Sequence, residues 1–283
     1  VAREGNRGHV VERVRQPDEV DAGQPAPDIR LDLHQMPCDP EQGHRFTPAK
    51  LLVDMKPGTA FNPQANATQA RTMEHFRRLG FAREVRAQGL PADHPTDIAY
   101  FTRYTAWELA RLSLPTAAEA VRNVRNLAGS WSAAELPHRV SQKFVEQVLR
   151  RHADAWPSVD LRYGWSLEGF DDSGALVSAA IRPTEDGAAQ VVRAQFLVGA
   201  DGARSSVRRQ LGIEWSGVTG TPREFMGGKM FAVYLRAPGF VSALRHPRAW
   251  MYVAVNHRRR AFMASVDGVS EYAFHAALRP GED

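Results

Sequence analysis

The sequence predicts an α/β fold interleaved with a smaller mixed domain built mainly on an antiparallel sheet. Three observations predict it. Residues 161–200 hold three strand-like runs separated by turn residues, which reads as a meander. Two stretches, 68–79 and 141–153, carry apolar residues at helical spacing. Four further strand-like runs follow between 231 and 277 and read as antiparallel strands.

The elements follow in order. Residues 1–46 mix Pro, Asp, Glu, Arg and Gly without a sustained period, so an irregular leader is expected there. Leu51-Leu52-Val53 is a short buried strand that ends in Asp54 and enters a turn at Pro57-Gly58. In the helix at 68–79, Met73, Phe76 and Leu79 supply the apolar face and Gly80 is the stop. Residues 98–101 and 108–114 read as short strands. Ser141 caps the next helix, which carries Phe144, Val145, Val148 and Leu149 on one side. The meander is 161–167, 175–181 and 191–200, with turns at Asp171-Asp172-Ser173-Gly174 and Glu185-Asp186-Gly187. Its end, Phe196-Leu197-Val198, is apolar throughout and is expected to be a strand buried on both faces. Residues 205–211 read as a short helix, and 231–235, 249–255, 261–266 and 272–277 as the antiparallel strands.

Composition excludes several classes. Of 283 residues, 43% are hydrophobic and 24% charged, the range of a soluble globular protein. No run approaches the ~20 apolar residues of a membrane span, and the polar start at 1–10 is no signal peptide. Cys38 is the sole cysteine, so no intramolecular disulfide forms, which agrees with a cytoplasmic protein. The net charge of +4 comes from an arginine-rich surface with four lysines only. The arginines form no basic stripe with interleaved aromatics, so nucleic acid is not an expected partner. His75, His94, His138 and His152 lack ligand spacing and are expected on the surface, with no metal. Trp107, Trp131, Trp156, Trp165, Trp215 and Trp250 are expected to be packing groups.

Three positions could carry binding chemistry. Asp201 follows the apolar run 196–198 at what would be the carboxyl edge of a sheet, where ligands sit in open α/β folds. Gly202 permits a tight turn and close backbone approach. A carboxylate there accepts hydrogen bonds from sugar hydroxyls; the plainer alternative is that Asp201 only caps the following helix. Asp54 ends a second strand, where an acid can bind both hydroxyls of a ribose, although acids often end strands. Gln142 opens a helix beside free backbone N–H groups, a place to meet phosphate, or is a plain surface residue.

Together these residues resemble a family. The segment 62–80 (Asn62-Pro63-Gln64 through Leu79-Gly80) is similar to the stretch after the second strand of the class A FAD-dependent aromatic monooxygenases, the para-hydroxybenzoate and phenol hydroxylase-like enzymes. His138-Arg139-Val140-Ser141-Gln142 resembles the start of that family's helix whose glutamine contacts the flavin dinucleotide. Gly199-Ala200-Asp201-Gly202 resembles its Asp-Gly motif, and Val53-Asp54 its ribose-binding strand end. The resemblance runs from about Leu51 to the C-terminus. It departs in three ways: no Gly-x-Gly-x-x-Gly loop is found, Gln64 stands where many members have a basic residue, and the later Gly-Asp segment is not reached by Asp283. The chain is therefore expected to be the middle of such an enzyme, incomplete at both ends.

The resemblance implies a Rossmann-like FAD-binding domain at 47–90 and 135–215, and a substrate domain at 91–134 and 216–283. It implies FAD as cofactor, NAD(P)H as co-substrate, molecular oxygen, and a small phenolic or polyketide-like aromatic substrate. In that chemistry the reduced flavin and oxygen deliver an electrophilic oxygen to an electron-rich ring, while the protein positions the ring and excludes water. Asp54, Gln142, Asp201 and Gly202 are the implied cofactor-binding residues; no catalytic residue is legible. Two other possibilities stand beside it: an inactive remnant with a weak nucleotide site, and an interaction protein built on that remnant.

Overall fold

The computed structural model describes residues 50–62, 65–124, 133–217, 229–279 and 281–282. The leader at 1–46, Gln64 and Trp131 lie outside the described residues. In chain order the elements begin with β1 (Lys50–Asp54), α1 (Ala70–Arg78), α2 (Ala82–Ala87), β2 (Ile98–Phe101), β3 (Glu108–Leu112) and α3 (Ala117–Val124). Next come α4 (Gln142–Asp154), β4 (Val159–Tyr163), β5 (Trp165–Asp172), β6 (Val177–Pro183), β7 (Gln190–Ala194) and α5 (Ser206–Gln210). The last are β8 (Met230–Arg236), α6 (Phe240–Ala243), β9 (Met251–Val255), β10 (Arg260–Ser265) and β11 (Glu271–Ala277).

These elements fall into two compact units. One holds the described residues through Met55 with Ser158–Glu214; the other holds Lys56–Pro157 and Trp215–Asp283. The helices α1, α2 and α4 thus fall in the same unit as the antiparallel sheet, whereas the division implied by resemblance groups them with the flavin segments.

In the first unit β1 pairs in parallel with β4, from Lys50↔Val159 to Asp54↔Tyr163. Parallel pairing needs a long crossover, which the intervening chain supplies. β5, β6 and β7 form an antiparallel meander. The expected strand at 161–167 is two strands, because Gly164 turns the chain at φ +72°. A non-glycine residue rarely adopts that conformation. The expected strand at 191–200 stops at Ala194. Phe196 and Val198 are 70% and 84% exposed, so the expected burial on both faces is not observed. Burial of such a run needs strands on both sides, and no backbone ladder reaches it among the described residues.

In the second unit six strands are ordered β3-β2-β9-β10-β11-β8. Every pair is antiparallel except β2 with β9. Cross-strand partners share a face, and Ala99, Tyr252, Met263, Phe274 and Val233 line up across five strands. Phe101, Tyr252 and Tyr272 of this face are fully buried, and Phe240 of α6 meets Tyr252 and Tyr272 edge-on at 5.0 Å each. Such aromatic pairs combine large buried area with favourable quadrupole geometry.

A second core joins α1, α2 and α4 through Met73, Phe76, Phe81, Val85, Val145 and Val148. The α1 stop is built as its sequence predicts. Gly80 has φ +93°, its N–H donates to the Arg77 carbonyl, and the Phe81 N–H donates to the Phe76 carbonyl. The Phe76 and Phe81 rings close the motif at 5.3 Å. Leu79, expected on the apolar face, is exposed instead, because it is the cap residue and lies beyond the last helical turn.

Other expectations are corrected. Ser141 occupies the cap position of α4, but its side chain makes no capping bond. His94 and His138 are buried rather than on the surface; His138 is held by the Arg86 carbonyl, 3.0 Å from its Nε2. Trp107, Trp156 and Trp215 are exposed, while Trp250 is a packing group.

Candidate functional site

The turn at 199–202 is the most fully built of the predicted positions. Ser205 is the N-cap of α5, and its Oγ accepts the Arg208 N–H at 2.9 Å. Asp201 is wrapped by the same helix start. Its Oδ1 accepts the Ser205 hydroxyl. Its Oδ2 accepts the Ser206 N–H at 2.6 Å, the Ser206 hydroxyl at 2.9 Å and the Val207 N–H at 3.3 Å. The Ser205 hydroxyl, with the Ser206 hydroxyl and the two backbone N–H groups, holds the Asp201 carboxyl well below the usual carboxylate range. Asp201 therefore caps α5, the plainer of its two sequence readings.

Capping does not exhaust this carboxylate. An ionised carboxylate has about four lone-pair sites. Oδ2 carries three bonds and Oδ1 one among the described residues, so Oδ1 retains an acceptor position. The side chain is exposed. A hydroxyl of a sugar or of the ribityl chain could donate there, to a carboxylate already fixed in place.

The two glycines of the turn have different reasons. A Cβ on Gly199 would meet Val207 at 2.9 Å, so glycine lets the turn close onto α5. Gly202 has φ +78° and open space around it. That is the left-handed region glycine adopts without strain, and it leaves room for a ligand. This donor and acceptor set fits the polyol part of FAD.

Asp54 closes β1 opposite Tyr163 and is half-buried in the same unit as Asp201. Gln142 lies in the other unit. Its backbone N–H donates to the Ala65 carbonyl at 2.9 Å, which consumes one of the amides that sequence reasoning offered to phosphate. Its side-chain amide donates to Glu146 at 2.5 Å, one helical turn on. The other Glu146 oxygen accepts the Ala60 N–H at 2.6 Å. Glu146 thus fixes both Gln142 and the loop at Ala60. Sequence reasoning missed it, although the four-residue Gln–Glu spacing was a usable signal.

Comparison with known proteins shows the family of the chain. Residues 44–283 match the family described as "FAD binding domain". The chain is 32% identical over 151 residues to the FAD-dependent monooxygenase opdD of Penicillium oxalicum, covering 53% of this chain and 29% of that protein. It is 30% identical over 231 residues to aklavinone 12-hydroxylase DnrF of Streptomyces peucetius, covering 74% and 45%. Among solved structures, the flavin-dependent monooxygenase PieE in complex with FAD and substrate superposes with a TM-score of 0.68 at 26% identity. That match covers 82% of this chain and 39% of PieE. The chain spans 25–45% of the length of the first curated relatives it matches.

Proposed function

From the premise that this chain belongs to the FAD-binding-domain family, we propose that it is part of a monooxygenase using FAD and NAD(P)H. Its substrate is a phenolic or polyketide-like aromatic compound, hydroxylated with molecular oxygen. The observation that carries the reading is the 199–202 turn, where α5 fixes an exposed carboxylate with an acceptor position to spare. The curated relatives support the reaction class: DnrF is an aklavinone hydroxylase, and a Delftia acidovorans relative is a 2,4-dichlorophenol 6-monooxygenase. No described helix is long and apolar enough to cross a membrane, and we place the protein in the cytoplasm.

In this reading the bound flavin supplies an electrophilic oxygen after reduction and reaction with dioxygen. The chain's own residues do the holding. Asp201 accepts a polyol hydroxyl through Oδ1, and Gly202 keeps the backbone clear of it. Asp54 is the acid for a ribose. In the other unit the Gln142 side-chain amide is held by Glu146 and would exchange it to meet a ligand. The six-stranded sheet belongs to the substrate-bearing part.

The test is flavin retention and NAD(P)H oxidation, with a phenol panel, in protein carrying the full length of the relatives. Phenol-stimulated oxidation that falls when Asp201 is replaced supports the reading. Tight FAD binding with no stimulation by any aromatic compound would favour the retained nucleotide site without hydroxylation. The engagement of Gln142 and Asp201 within the chain is the observation on that side.

A further inference from the structure

One cation in the second unit is placed unlike the other arginines. Arg139 sits two residues before the α4 cap, and its guanidinium carbon lies 3.8 Å from the centroid of the Trp250 ring. It is half-buried, and no carboxylate or carbonyl meets its guanidinium among the described residues. Compare Arg111, which is also shielded but meets Asp97 at 2.9 Å and Glu108 at 2.8 Å. Stacking on an indole holds a guanidinium flat and leaves its N–H edge unspent.

Two buried polar groups, one on this ring and one two residues along the chain from Arg139, also lack hydrogen-bond partners among the described residues. They are Trp250 Nε1 and Ser141 Oγ. Both residues are more than nine-tenths buried. Trp250 lies under Arg139, and Ser141 is its alternate neighbour along the chain. Buried donors in native proteins almost always find a partner, and two unmet groups beside an unpaired cation call for an acceptor. Trp Nε1–H and guanidinium N–H groups only donate, and a serine hydroxyl can donate.

We propose that Arg139, Trp250 and Ser141 form an oxyanion subsite, taking a carboxylate or phosphate group of a small molecule. Two oxygens face the guanidinium edge, the geometry in which arginine binds both anions in bidentate fashion. This subsite is separate from the Asp201 turn, uses none of its residues, and stands whether or not the chain acts as a hydroxylase.

Trp250 is the built-in reporter. The 283-residue chain would be titrated with inorganic phosphate and with benzoate at constant ionic strength held by chloride, following tryptophan fluorescence. Trp250→Phe, run in parallel, identifies the signal that belongs to this ring. A saturable change at about millimolar anion or below, absent in Trp250→Phe and weakened about tenfold or more in Arg139→Gln, is expected. Phosphate alone acting assigns a phosphate ligand; benzoate alone assigns a carboxylate. Arg139→Lys keeps the charge and loses the fork, so it should bind more weakly than wild type and more tightly than Arg139→Gln. If Arg139→Gln does not fold, Arg139→Lys and Ser141→Ala decide, each expected to weaken the anion several-fold. A change that is linear in anion, or equal in wild type and these variants, overturns the proposal and leaves the buried groups to ordered water.

Discussion

The six-stranded sheet and the segment 195–202 both carry dense apolar sequence, yet one is buried and the other is not. In the sheet every strand has a ladder partner: β8 to β11 close locally, and β2 joins β9 across the long separation from Ile98 to Met251. Phe101, Tyr252 and Tyr272 are consequently buried against Phe240 and one another. Phe196 and Val198 have equal reason to leave water but no described strand beside them. Apolar sequence states a demand for burial; topology decides whether it is met. The candidate turn at 199–202 follows directly on the unmet segment, and it keeps its geometry because Asp201 and Ser205 tie it to α5.

Four substitutions sharpen this contrast, from the largest effect to the smallest. Phe101→Ala empties a fully buried site between Tyr252 and His246. It should cost about 3–5 kcal/mol, read from urea unfolding. A loss below 1 kcal/mol would mean the sheet core is less packed than described. Gly80→Ala places a side chain at φ +93° in the α1 stop and should cost about 1–2 kcal/mol by the same measurement.

Asp201→Asn should act locally, lowering hydrogen-exchange protection of the Ser206, Val207 and Arg208 amides while the six-stranded sheet keeps its own. The wild-type pH dependence has a defined sign. The folded carboxyl lies below its ordinary value, so its contribution is full above about pH 3.9 and is lost as pH falls toward the depressed folded value. Protection of the α5 amides that instead rises on acidification would show that Asp201 does not cap the helix.

Smallest is Phe196→Ser. At an exposed position it should change stability by no more than about 0.5 kcal/mol and should improve solubility by shrinking an exposed apolar patch. A large loss of stability would mean that Phe196 is buried in solution and that the contrast drawn here fails.

Sequence legibility divides along the same line. The strands β8 to β11 were readable within two residues because alternation, antiparallel neighbours and turns are all local. Gly80 was readable because only a left-handed residue closes that motif. Gly164 was read through, since nothing local distinguishes a glycine within a strand from one that ends it at φ +72°. Residues 196–198 were misread because burial on two faces depends on strands far away in sequence. At the candidate site, residue type and position were legible for Asp201 and Gly202. The hydrogen bonds that turn Gln142 onto Glu146 and Asp201 onto α5 were not, because side-chain partners are chosen after the backbone is placed. Arg139 was visible as part of a family-like segment, but its stacking on Trp250 joins residues 111 positions apart, which no local pattern marks.

The most direct test of the central claim is a titration of the purified chain with FAD, comparing wild type with Asp201→Ala and following flavin fluorescence. Saturable binding in the wild type, weakened at least about tenfold in the variant with the six-stranded sheet still folded, is the predicted result; about 1.4 kcal/mol corresponds to each tenfold step. Equal affinity in the two proteins, or no saturable binding in the wild type, would contradict the account and reduce Asp201 to the cap of α5.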